Sequence, residues 1–147
     1  MQNDISTLGL RQKSGAAPAS NVLVIALDAA GPLDITGDRV LVVAPAVESR
    51  LRPWLSDDDE ARRAAGKRLD GCLGRLTRAG VDATGCIGHA DPVEAIANAL
   101  TTFAADEVVV TAHVAHARRL AGDVVRRARE RFDLPIVEDE LTISRAA

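Results

Sequence analysis

Short continuous apolar runs alternate with amphipathic stretches along this chain. "NVLVIALD" (21–28) and "RVLVVAPAV" (39–47) are unbroken apolar runs of strand length. That pattern suits strands covered on both faces of a parallel sheet, and Pro45 ends the second of them. "VDATGCIG" (81–88) reads as a third, weaker strand, "DEVVVTA" (106–112) as a fourth and "PIVEDELTI" (135–143) as a fifth.

Helical spacing fills the intervals. Ser56 is placed to cap a long helix, with Asp57, Asp58, Asp59 and Glu60 in a first turn where the helix dipole favours negative charge. Ala61, Ala64, Ala65, Leu69, Cys72, Leu73, Leu76 and Ala79 recur at steps of three and four, and Gly80 fits the residue after the end. Asp91, Pro92 and Glu94 read as cap, first position and capping box of a second helix, with Val93, Ile96, Ala97, Leu100 and Phe103 on its apolar side. A basic helix covers about 117–131, with Leu120, Val124, Val125, Ala128 and Phe132 on one arc, and Leu134-Pro135 stops it.

Strands alternating with helices predict an α/β fold. It is a three-layer, Rossmann-like arrangement: a mostly parallel five-stranded sheet with helices on both faces. The first connection breaks the pattern. Only ten residues, "AAGPLDITGD", separate Asp28 from Arg39, and Gly31, Pro32 and Gly37 leave room for little more than one helical turn. The helix between the first two strands is therefore expected to be shortened or missing, with a second chain or residues 1–20 covering the sheet there. Residues 1–20 are polar, with Gly, Ala, Pro and Ser, and read as a flexible N-terminal segment before a domain at 21–147.

Composition narrows the classes. Aromatics are 2% of the chain (Trp54, Phe103 and Phe132), so the core must come from Val, Leu, Ile and Ala, and stacking platforms for single-stranded nucleic acid are not expected. The net charge of −3 gives no general attraction to nucleic acid or anionic membranes. No apolar run reaches the roughly 18 residues that span a bilayer, and residues 1–20 lack the apolar stretch of a secretory signal. Cys72 and Cys86 form no CxxC pair and read as small buried residues in a reducing compartment. The expected location is cytoplasmic.

"GHADPVEAIANALTTFAADEVVVTAH" (88–113) and "LAGDVVRRARERFDLPIV" (120–137) resemble the universal stress protein family, whose fold is of the adenine nucleotide alpha hydrolase-like type. The shared features are a Gly, an Asp-Pro, an Ile four residues on, an Ala-rich helix, an Asp before an apolar strand, and a final strand led by Pro. Asp28, at the end of the first strand, matches an Asp that family members often place near the nucleotide. The resemblance spans residues 21 to 143. It implies a five-stranded parallel sheet, frequent dimerisation through the last strand, and adenine-nucleotide binding in some members.

The branch of that family that binds ATP carries Gly, two residues, Gly, nine residues, then Gly followed by Ser or Thr. Glycines there let backbone N–H groups approach phosphates. Here Thr111 stands for the first Gly and Val114 for the second; seven residues, 115 to 121, precede Gly122, and Asp123 follows it. A β-branched Val resists positive φ, and Asp123 would bring negative charge to a phosphate. Arg118 and Arg119 offset part of that loss, since arginine matches phosphate geometry. If a nucleotide (ATP or AMP) binds, the resemblance places Asp28 on its ribose or base side, with Thr111, Ala112, His113 and Gly122 near its phosphates.

Other chemistry is thinner. His113 and His116 give HxxH, with His89 as the remaining histidine; zinc needs three or four ligands and HExxH is absent, so these read as loop or surface histidines. The "SDDDE" run reads as a helix start rather than a metal site. Arg118, Arg119, Arg126, Arg127, Arg129 and Arg131 read as a solvated face paired with Asp123, Glu130 and nearby acids, against the sharper alternative of docking RNA or an acidic partner. No serine lies in a GxSxG elbow, and Cys86 in "GCIG" reads as a packed small residue rather than a nucleophile. The expected function is a non-enzymatic, stress-associated binding or regulatory protein with a degraded nucleotide site and no required cofactor, acting through a homodimer or a protein partner. The alternative is an adenine-nucleotide-binding protein that uses the carboxyl ends of the strands.

Overall fold

A computed structural model describes residues 21–28, 35, 37–47 and 58–139. Five strands and three helices follow in the order β1 (Asn21–Ala26), β2 (Arg39–Pro45), α1 (Asp58–Arg78), β3 (Ala83–Gly88), α2 (Pro92–Leu100), β4 (Glu107–Thr111), α3 (Ala115–Arg131) and β5 (Ile136–Asp139). The strands form one sheet in the order β3-β2-β1-β4-β5. Every neighbouring pair is parallel. The expected five-stranded α/β architecture is therefore present, and its strands run fully rather than mostly parallel.

Alternation along the strands divides the core into two halves. Leu23, Ile25, Val108 and Val110 meet Val93 and Ile96 of α2 and Ala117, Ala121, Val124, Val125 and Ala128 of α3. Val22, Val24, Val40, Val42 and Val109 fall in the other half, with Ala65, Cys72 and Leu76 of α1. β1 is central and its residues from Val22 to Ala26 are essentially without exposure, which explains why that segment reads as an unbroken apolar run. Most of the expected stripe on α1 packs as foreseen, while Ala64 and Ala79 are exposed.

The local signals resolve in physical detail. Gly80 follows α1 with φ +80°, the left-handed conformation that disfavours a side chain. Asp91 caps α2, its Oδ1 accepting from Val93 N–H at 3.0 Å, with Pro92 in the first position. Glu94 does not close a capping box. It reaches Arg131 of α3 at 2.6 Å, and the Asp91 N–H instead donates to His89 Nδ1 at 2.9 Å. Cys86 corrects the sequence reading, because β3 is an edge strand and its thiol is exposed, whereas Cys72 is buried; both are free. The Ser56 cap, residues 1–20, the shortened 29–34 connection and residues 140–143 of the expected last strand lie outside the described residues; Ile35, in that connection, is buried on the α1 side.

Three of the six arginines of α3, Arg126, Arg127 and Arg131, pair with carboxylates. Arg126 meets Asp123 at 2.6 Å and Glu130 at 3.7 Å. Arg127 reaches across to Asp91 of α2 at 3.1 Å and to Asp123 at 3.6 Å. Arg127's hydrogen bond holds the Asp91 carboxyl below its ordinary value of 3.8, against a smaller opposing effect of burial. A depressed folded value means that this contribution is present above the unfolded carboxylate's value and is lost as the pH falls through the lower folded one. Asp91→Ala is expected to cost about 1 kcal/mol at neutral pH and to flatten part of the acid dependence seen by urea unfolding between about pH 5 and pH 2. Asp91→Asn should keep the cap and lose the pH dependence.

Candidate functional site

The sheet order sends the chain to opposite sides of β1: β2 lies on one flank and β4 on the other. In open parallel sheets a crevice forms at such a reversal, outside the carboxyl ends of the strands. Asp28 lies two residues past β1 and His113 two residues past β4, so the two face one another across it.

The Asp28 carboxylate is held by the opposite strand's turn. Its Oδ2 accepts from the backbone N–H of His113 at 2.7 Å and of Val114 at 2.9 Å. Val114 is the N-cap of α3, its side chain cannot cap, and no acid stands in the first turn of that helix. A carboxylate from β1 thus supplies the negative charge and the acceptor that the local sequence lacks. Val114 keeps an extended φ of −89°. The pair of N–H groups ahead of α3 is a natural place for an anion, and here the chain's own anion takes it.

His113 lies in the β4–α3 loop, as the sequence suggests, but it is not a surface histidine. Its side chain is 2% exposed, with Nδ1 at 3.5 Å from Asp28 Oδ1. That separation is too long for a good hydrogen bond, and neither ring nitrogen has a hydrogen-bond partner. Thr111, 1% exposed, also has an unpartnered hydroxyl. Strand alternation puts Thr111 with Val109 on the α1 side of the sheet, while Ala112 packs in the opposite half of the core. His116 lies in the exposed first turn of α3.

Asp28, Thr111, Ala112 and His113 are therefore brought to one end of β1 and β4, but Gly122 is not. α3 begins at Ala115, two residues earlier than the sequence pattern indicates, so Gly122 sits in the third turn of the helix and is exposed. A Cβ there would meet nothing within 4 Å. The reason is physical: Ala117, Leu120 and Ala121 continue the apolar arc toward the N-terminus, and no glycine is needed to turn the chain. Arg118 and Arg119 are exposed within the first turns of α3 and make no ion pair among the described residues.

α1 contributes two residues that sequence reasoning passed over as site candidates. Cys72 Sγ lies 3.9 Å from the Asp28 carbonyl oxygen, and burial pushes its thiol up to about 11. Arg68, one turn earlier, donates through Nη2 to the Pro45 carbonyl at the end of β2. Its Nε is buried without a partner. Burial lowers the Arg68 guanidinium from its ordinary value, opposed by Cys72 and Asp28. The helical spacing of Ala61, Ala65, Leu69 and Cys72 places Arg68 beside that stripe, which was the available signal.

Among the described residues no three His, Cys, Asp or Glu side chains group to hold a metal ion, and no helix is long and apolar enough to cross a membrane.

The fold agrees with that of a solved structure. The chain is similar to the crystal structure of a universal stress protein family protein from Arabidopsis thaliana with AMP bound. The TM-score is 0.54 and the identity 15%, over 87% of this chain and 95% of that one. The fold is thus that of a universal stress protein. No known family profile matches the sequence, and no curated protein does.

Proposed function

We propose that this is a cytoplasmic, non-enzymatic binding or regulatory module with a universal-stress-protein-like fold, in which the glycine-loop mode of holding phosphates has been replaced. One observation carries the reading: the Asp28 carboxylate occupies the His113 and Val114 N–H groups. A phosphate arriving there meets a negative charge and finds its donors engaged. The departures at Thr111, Val114 and Asp123, and the position of Gly122 within α3, support the same conclusion. Association with a second copy or a protein partner belongs to this reading, supported by β5 lying at the sheet edge with Val137 exposed.

A second reading keeps an adenine nucleotide at the strand carboxyl ends. AMP in the similar Arabidopsis structure favours it, as do the buried polar atoms of Thr111 and His113 that await partners.

Calorimetry with AMP, ADP and ATP tests both. The first reading expects ATP to bind no more tightly than AMP, since added phosphates gain no donors from the turn. ATP at least about tenfold tighter than AMP, a difference of about 1.4 kcal/mol, would sink it. Heat from none of the three would remove the second reading.

A further inference from the structure

β3 forms one edge of the sheet, and its outer side has no partner strand among the described residues. The parallel ladder with β2 decides which groups are left over. Val40 N–H donates to the Asp82 carbonyl at 3.2 Å, and Ala46 N–H to the Gly88 carbonyl at 3.1 Å. In a parallel pair, alternate residues of a strand turn their N–H and C=O groups to the same neighbour. Asp82, Thr84, Cys86 and Gly88 therefore face β2, and the groups of Ala83, Gly85 and Ile87 point outward from the sheet. Thr84, Gly85 and Cys86 are exposed in the middle of this row.

An open row of donors and acceptors templates another strand, and sheets blunt such edges with charge, proline or a bulge. β3 has none of these. Its sequence, ATGCIG, is uncharged and free of proline, and its register with β2 runs unbroken from Ala83 to Gly88. β5, the opposite edge, carries Glu138 and Asp139, so two copies of that strand set side by side would crowd like charges. Charge thus favours β3, and the strand complements itself. Antiparallel pairing centred on Gly85 sets Gly85 against Gly85, with Ala83 against Ile87 on either side. Each of those pairs exchanges both its N–H···O bonds. Sliding the pairing to centre on Cys86 keeps fewer of them within the strand. The Gly85 register sets Thr84 opposite Cys86 in a non-hydrogen-bonded pair, where Cα atoms stand about 4.5 Å apart. Cys86 of one copy is then diagonal to Cys86 of the other, at about 7–8 Å.

We infer that β3 is a homodimer interface: two copies join edge to edge, antiparallel about Gly85, into one continuous sheet. The inference rests on the proposed association with a second copy and names the strand that makes it. The contact is a row of main-chain hydrogen bonds among small side chains, which belongs to the weak, reversible class of interfaces. It leaves the crevice beside Asp28 clear, because β2 stands between β3 and β1.

The test is sedimentation velocity of the full chain in reductant, over a concentration series, with and without the paired substitutions Thr84→Lys and Cys86→Lys. Both positions are exposed, and in this register each new lysine faces one from the other copy. Thermal midpoints establish that each variant is folded. A reversible dimer is expected in the natural protein. It should weaken at least about tenfold in the lysine variant and stay unchanged in Val137→Lys on β5. Under mild oxidation with diamide, the Thr84→Cys variant should cross-link to Cys86 of the other copy, a separation that a disulfide spans. The natural protein should not cross-link, and a bridge between its own Cys86 thiols would overturn the inference by showing a different register. A dimer lost in Val137→Lys and kept in the lysine variant would also overturn it, while leaving the proposed association standing. A monomer at every concentration would overturn both, leaving the edge to a segment of this chain or to an unlike protein.

Discussion

Asp28→Ala is expected to lower the unfolding free energy by about 3 kcal/mol, the largest polar effect in the molecule. The substitution strips the acceptor from the His113 and Val114 N–H groups, which sit at 2.7 and 2.9 Å from one carboxylate oxygen. Each orphaned donor costs about 1–3 kcal/mol when water cannot replace the partner. The start of α3 loses its acid as well, and no residue in its first turn substitutes. Asp28→Asn keeps one oxygen to accept and should lose about half as much. Urea unfolding of the two variants measures the difference, and the slope of free energy against denaturant should stay unchanged because the fold persists. A loss below about 1 kcal/mol for the alanine variant would mean that the contact does not organise the turn.

Gly85→Val should destabilise comparably, by about 3 kcal/mol, through overpacking. Gly85 lies on β3 opposite Val42 in register. A Cβ there would stand 2.4 Å from Leu69 Cδ1, 2.9 Å from the Val42 carbonyl oxygen and 3.3 Å from Leu73 Cδ1. Leucine tips can rotate, but the carbonyl belongs to the β2–β3 ladder and cannot yield without moving a strand. α1 would have to lift from the sheet. Gly122→Ala is the informative contrast. With nothing within 4 Å of its Cβ position, it should stabilise α3 by up to about 1 kcal/mol. Thermal unfolding of the pair compares an approach that needs glycine with a helical glycine that does not.

The strands were legible because both faces of a parallel sheet are covered, so Val22 to Ala26 and Val108 to Val110 had to be apolar without interruption. Asp91 and Gly80 were legible because caps are local. The start of α3 was not. "TAHVAHARR" has no capping residue, since the capping charge comes from Asp28, 86 residues before Val114. That long-range contact also hid the burial of His113, which nothing in its neighbours requires. Glu94 was read as a local capping partner when a cross-helix arginine, Arg131, held it instead. Arg68 looked like an ordinary charged residue on the flank of α1. Only the packing of that helix against the ends of β1 and β2 makes it a partly buried cation with an unpartnered Nε.

The proposed function stands on Asp28 closing the β4–α3 turn to phosphate. Titrating AMP and ATP into the natural protein by calorimetry tests it most directly. With the turn amides held by Asp28, ATP is expected to bind no more tightly than AMP. ATP binding at least about tenfold tighter than AMP would show the phosphates resting on the turn and would contradict a closed glycine-loop site.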